Sequence, residues 1–354
     1  MWALLLTLLL LALFPILLAV LFRETLLERK QKAILDDLGK LGAFELPLVK
    51  RKGGESGIRE EIEGYYSRSF LFPPAILLSV LYLPGFLLCN EFMSTKFDAG
   101  HTSWPFYANL TAVVEPILFA FIGVYLFNMG TMVRRLYLSD LTENVFWGGI
   151  NRLLLSMGVA IVFASGLEAT WRLEGATSDT VFFAIGFLAN AFLQNILQAG
   201  LRAGKIGKAK THDVPLQMVR GINIWKEYRL EEEGIEDAQN LATADVIDLA
   251  VKTHYGLRTL IDWIDQAVLV VRLGEKKIQT LWELGVPVSA IDLAAQSPEN
   301  TGNPAIAESL ASKLEMEPLL MASLMNSLLE DEYIRTLWAL WQTRPEAKRI
   351  GAAA

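Results

Sequence analysis

Trp2-Ala-Leu-Leu-Leu-Thr-Leu-Leu-Leu-Leu-Ala-Leu-Phe-Pro-Ile-Leu-Leu-Ala-Val-Leu-Phe22 holds no charged side chain. At 1.5 Å rise per residue, a helix over this run spans a hydrocarbon core of about 30 Å. Similar runs follow at 70–89, 110–129, 153–167 and 181–197, the fourth lengthened by Phe146, Trp147 and Ile150. The second contains Pro73, Pro74 and Pro84, which should bend it or displace its start, because each proline removes a backbone donor. The first run lacks a basic leader and a small-x-small site before Arg23, so it is expected to be a retained helix, not a cleaved signal. The sequence therefore predicts an all-α chain: a polytopic membrane bundle of about five spans, then a soluble all-helical domain.

Composition agrees. Of 354 residues 53% are hydrophobic and 20% charged, with the apolar runs concentrated before residue 201. The formal net charge of −7 argues against a protein that coats nucleic acid. A single cysteine, Cys89, excludes an intrachain disulfide and a cysteine-based zinc site. The expected divisions are a first span (1–22), an amphipathic loop (23–69), a four-helix membrane region (70–200), a linker (201–215), two helical units (216–270 and 271–343) and a tail (344–354).

Loop charges alternate. Lys and Arg crowd 23–69, are sparse between the second and third spans, return at Arg134, Arg135 and Arg152, leave Arg172 alone, and return at Arg202, Lys205, Lys208 and Lys210. Positive loops stay in the cytoplasm. The expectation is a bacterial-type inner-membrane protein with its N-terminus outside and its C-terminal domain cytoplasmic. In the first loop Leu27, Ile34, Leu38 and Leu41 recur at helical spacing among Glu28, Arg29, Lys30, Asp36 and Asp37, a helix suited to lie on the membrane or on a partner helix. Phe92, Phe97, His101, Trp104, Phe106 and Tyr107 read as an aromatic belt at the outer surface.

Polar residues within apolar runs are the functional pointers, since lipid does not solvate them. Asn190, Gln194 and Gln198, with Asn195 beside them, form an amide stripe in the fifth run. In an oligomer such a stripe can line a pore; equally, it can join helices by hydrogen bonds. Glu115, followed by Pro116, is an acid inside the third run.

Beyond residue 210 the helices shorten. Leu230, Gly234, Ile235, Leu241, Ala242, Leu249 and Gly256 mark a helix ending at a glycine turn, a second helix folding back, and another glycine opening a further helix at Leu257. Over about 216–270 this pattern resembles the helix-hairpin-helix or SAM-like domains, such as the C-terminal domain of the bacterial RNA polymerase α subunit. The resemblance implies a small helical module with hairpin turns at Gly234-Ile235 and Gly256-Leu257. Nucleic-acid-binding members of that fold offer amides and basic side chains to phosphate, whereas here Glu231, Glu232 and Glu233 lie beside the hairpin. The departure favours a protein-interaction module. Leu281-Trp-Glu-Leu-Gly-Val286 and Ile291-Asp-Leu-Ala294 resemble a degenerate second copy, giving tandem units.

The chain has no phosphate-binding glycine loop, paired-histidine zinc motif or nucleophile elbow, and His101, His212 and His254 are scattered. No cofactor, metal or enzymatic activity is expected. The partners expected are membrane lipid, further copies of the chain and a cytoplasmic protein, with nucleic acid disfavoured. The leading expectation is a membrane scaffold or signalling component; the alternatives are an oligomeric channel or membrane-perturbing effector lined by 181–198, and a membrane-tethered nucleic-acid binder.

Overall fold

The computed structural model describes residues 2–97, 105–171, 176–188, 214–283 and 289–342. Every regular element among them is a helix. The chain forms two compact units: Met1–Arg29 with Tyr66–Ala209, and Lys30–Tyr65 with Lys210–Ala354.

The first unit begins with α1 (Trp2–Ala12) and α2 (Phe14–Leu21). The expected single span is bent by 53° at Leu13, where Pro15 enters the first turn of α2. Proline has no N–H for the carbonyl four residues back, and the Tyr125 hydroxyl donates to that carbonyl, on Leu11, at 3.1 Å. After a π-helical turn at Phe22–Leu26, α3 (Leu27–Lys40) continues the same run. The remaining helices of the unit among the described residues are α6 (Arg68–Phe97), α7 (Pro105–Tyr137), α8 (Glu143–Trp171) and α9 (Ala176–Phe187). Among the described residues three helical runs are long and apolar enough to cross a membrane, Gly54–Phe92, Val114–Tyr137 and Glu143–Ala164, and the bent pair at the N-terminus makes a fourth if it is one span. α6 starts at Arg68 and holds Pro73, Pro74 and Pro84 inside it, so the prolines do not displace its start.

Small residues set the packing of α9. A Cβ on Gly186 would lie 1.9 Å from the Ala120 carbonyl oxygen, and one on Gly123 would lie 2.3 Å from that of Phe183. Only glycine permits this backbone approach, typical of helices that associate in lipid. Ala120, Ala160, Ala164, Phe182 and Ile185 close the seam. Between α7 and α8 a short turn is pinned by a buried ion pair, Arg135 to Asp140 at 2.6 Å.

The second unit is built from two stretches distant in sequence. One holds most of α3, then α4 (Pro47–Arg51) and α5 (Gly54–Tyr65). Its apolar face, Ile34, Leu35, Leu38, Leu41, Val49, Ile58 and Ile62, is buried. The amphipathic segment thus packs on protein. The other stretch runs through α10 (Ile224–Glu231), α11 (Ala238–Ala242), α12 (Val246–Lys252), α13 (Leu257–Leu273), α14 (Glu275–Glu283), α15 (Ala290–Ala295), α16 (Pro298–Thr301), α17 (Ala305–Lys313), α18 (Pro318–Glu330) and α19 (Glu332–Gln342). Asn223, Asp237, Asp245, Ser289 and Ser297 each cap a helix by accepting a backbone N–H.

Asp265 in α13 is fully buried, accepts the Ile291 N–H at 2.9 Å and bonds the Ser289 hydroxyl, tying α13 to the start of α15. Burial outweighs these bonds and pushes its carboxyl up to about 7. A raised pKa means that the folded unit holds the proton more tightly than the unfolded chain. Its stabilisation is complete below about pH 4 and is lost as pH rises towards 7. Asp292, also raised by burial, adds to the same slope. Asp265→Asn keeps the acceptor for Ile291 and removes the charge. Thermal unfolding is expected to show the variant close to wild type at pH 4 and more stable above pH 7, by on the order of 3–4 kcal/mol.

Candidate functional site

The pairing of α3–α5 with α10–α13 is a charged seam over an apolar floor. Lys30, itself buried, donates to the Thr253 carbonyl at 2.9 Å. At the centre the Lys52 ammonium, only 19% exposed, lies 2.9 Å from Glu61, 3.3 Å from Asp245 and 3.5 Å from Asp248. Lys252 holds Asp248 from the other side at 2.8 Å. Tyr65 donates to Glu233 at 2.8 Å, and Glu233 pairs with the buried Arg229 at 2.6 Å. Arg229 also donates to the Lys252 carbonyl, so one guanidinium joins α10 to the end of α12.

Titration follows this geometry. Burial acts to lower the Lys52 pKa, but its hydrogen bond to Glu61 and the charges of Asp245, Glu61 and Asp248 outweigh it and raise it. Burial and the hydrogen bond to Asp248 raise Glu61. Asp248 is lowered: burial opposes ionisation, and the Glu61 hydrogen bond together with Lys252 overcomes it. Lys52 thus occupies the cation position among three carboxylates, and no cluster suited to a metal ion occurs among the described residues. Lys52→Glu would place a fourth carboxylate there. Hydrogen exchange in α5 is expected to accelerate at least about tenfold, since each 1.4 kcal/mol of lost local stability is a factor of ten.

The hairpin turns lie beside this seam. Gly234 adopts φ +81°, and the Ile235 N–H reaches back to the Leu230 carbonyl at 3.1 Å, a left-handed helix ending only glycine adopts without strain. Leu230, Ile235 and Leu241 are buried. Gly256, by contrast, has φ −65° and serves as the N-cap of α13, with Leu257 buried behind it. A Cβ there would lie 3.5 Å from the Asp37 carboxylate of α3, so the chain supplies its own anion at that helix start. Of the acidic trio at 231–233, Glu233 is spent internally on Arg229 and Tyr65, and Glu232 lies 3.5 Å from Arg229.

The membrane-length helices carry a second polar cluster. Asn128 is buried in α7; its amide donates to the Tyr82 hydroxyl at 2.9 Å and to the Gly149 carbonyl at 3.1 Å, and its oxygen accepts from Arg152. The Arg152 guanidinium also lies 4.8 Å from the Phe127 ring centroid. Arg152, expected from the loop charges to flank a loop, stands inside α8, and Asn128 is a single amide in an apolar run, a pattern that gives no signal in sequence. Glu115 is half-buried in α7. Asn190, Gln194, Asn195 and Gln198, the side chains of the aromatic belt from Phe97 onward, and 284–288 of the second hairpin-like pattern lie outside the described residues.

Fold and site define a class: an all-helical chain with membrane-length apolar helices and a compact helical unit completed by the segment that follows its first apolar run. No family model, curated protein or solved structure matches it.

Proposed function

We propose that this chain is a non-enzymatic membrane scaffold or signalling component, whose second unit is a cytoplasmic protein-interaction module of the helix-hairpin-helix type. The observation that carries the reading is that 30–65 and 210–354 build one unit. Parts of one folded unit lie on one side of a bilayer, so the chain crosses an even number of times between residues 66 and 209. Three crossings are supplied by α6, α7 and α8. The apolar run at 181–197, which opens with α9, is the fourth and brings the count to five. The concentration of Lys and Arg in 23–69 and after residue 201 supports a cytoplasmic location for that side. The Asp37 carboxylate beside the Gly256 helix start, where a phosphate would have to sit, supports protein contacts over nucleic acid.

Topology and activity are tested together on the full chain. Single cysteines replacing Arg51 and Glu299, in a Cys89→Ala background, are expected to resist an impermeant maleimide in intact cells and to react after permeabilisation. Opposite labelling of the two sites refutes the even crossing number, and labelling of both in intact cells refutes the orientation. Liposomes holding the purified chain are expected to conduct no ions; a flux abolished by changing Asn190, Gln194 and Gln198 together to leucine would favour the channel instead.

A further inference from the structure

Two helical runs carry the chain between the units, Phe14–Lys40 passing the boundary after Arg29 and Gly54–Phe92 passing it after Tyr65. Each has an irregularity near that boundary. In the first, Phe22–Leu26 is a π-helical turn, closed by the Leu27 N–H on the Phe22 carbonyl, while the Thr25 hydroxyl takes the Leu21 carbonyl at 2.6 Å. In the second, Tyr66 and Ser67 are the non-helical residues between α5 and α6. The two irregularities touch. The buried rings of Phe22 and Tyr66 lie 5.3 Å apart at 53°, and Arg68 donates to Glu24 at 2.8 Å.

A π turn holds one residue more than the α-helix around it, and such turns are concentrated at functional positions. Taking up or releasing that residue turns everything beyond it by about 100° and moves it by about 1.5 Å along the axis. One irregular turn alone could be an accident of local sequence. Two, in contact and on the two described runs that lead into the same folded unit, allow these runs to bend at one level. The Glu24–Arg68 pair is exposed, so it does not lock the angle.

We propose that Phe22–Leu26 and Tyr66–Ser67 form a paired hinge, through which the hairpin unit changes orientation with respect to the membrane helices. The proposal goes beyond the scaffold reading and does not depend on what the unit binds.

Spin labels test it on the full Cys89→Ala chain in nanodiscs. One pair sits at Tyr137 and Trp225, 88% and 67% exposed and in different units; a reference pair sits at Trp225 and Leu319 within the second unit. The distance distribution between units is expected to be about twice as wide as the reference. Deleting Thr25, which converts the π turn to α, is expected to shift the mean inter-unit distance by several ångströms while the reference stays fixed. A wild-type width no greater than the reference overturns the proposal, as does a deletion that leaves the mean unchanged. Should the deletion prevent folding, Tyr66→Leu with Arg68→Gln loosens the contact at constant chain length. It is expected to broaden the inter-unit distribution further, and an unchanged width overturns the hinge.

Discussion

Arg229→Ala is expected to destabilise the second unit by about 3–5 kcal/mol, because it leaves a buried carboxylate without its cation. Arg229 and Glu233 have side-chain exposures of 2% and 4% and lie 2.6 Å apart. The substitution also strips the Lys252 carbonyl of a donor and leaves Glu233 with the neutral Tyr65 hydroxyl. Arg229→Ala combined with Glu233→Leu is expected to recover much of the loss, since replacing both ions with apolar groups removes the stranded charge. Chemical denaturation of the full chain, followed by hydrogen exchange in α10 and α12, measures both. A loss below about 1 kcal/mol would show that water reaches Glu233 and that the pair is a surface contact.

Gly186→Leu is expected to separate α9 from α7. Its Cβ would fall 1.9 Å from a carbonyl oxygen and 2.7 Å from that carbonyl's carbon, both backbone atoms of Ala120 that no rotamer change can move. Overpacking a core costs about 1–3 kcal/mol when side chains can give way, and more is expected where they cannot. Gly186→Ala already meets the same clash, so it too should lower the detergent melting temperature. Gly130→Ala in α7 is the control: nothing lies within 4 Å of its Cβ, and a change close to zero or slightly stabilising is expected. Equal melting temperatures for Gly186→Ala and Gly130→Ala would sink the close-packing account.

The elements followed legibly from local pattern. Apolar runs of membrane length located α6, α7 and α8, and the glycine at 234 marked a left-handed helix end. The period of Leu27, Ile34, Leu38 and Leu41 announced a buried helix face; what covers it could not be read, because a stripe carries no address. Lys52 and Tyr65 look like ordinary loop residues, and their partners Asp245, Asp248 and Glu233 lie about 170 to 200 positions away. Gly256 marked a helix start correctly while its φ gave no second left-handed turn. Arg152 and Asn128 were missed for a related reason: single polar residues signal little until a neighbouring helix supplies the rest of the network.

The seam also limits how the protein can be divided. Residues 211–354 alone lack Ile58, Ile62 and Lys52, and would expose the apolar floor and two carboxylates, Asp245 and Asp248, that these side chains cover. Binding studies therefore need the whole chain.

The Leu11 carbonyl offers a different lesson. A run of leucines at an N-terminus is commonly treated as a generic anchor, exchangeable for any greasy peptide of equal length. Here Pro15 opens one acceptor and Tyr125, more than a hundred residues on, fills it. The tether is thus a keyed part: a polyleucine substitute would match its length and oiliness yet leave the tyrosine hydroxyl with nothing to meet.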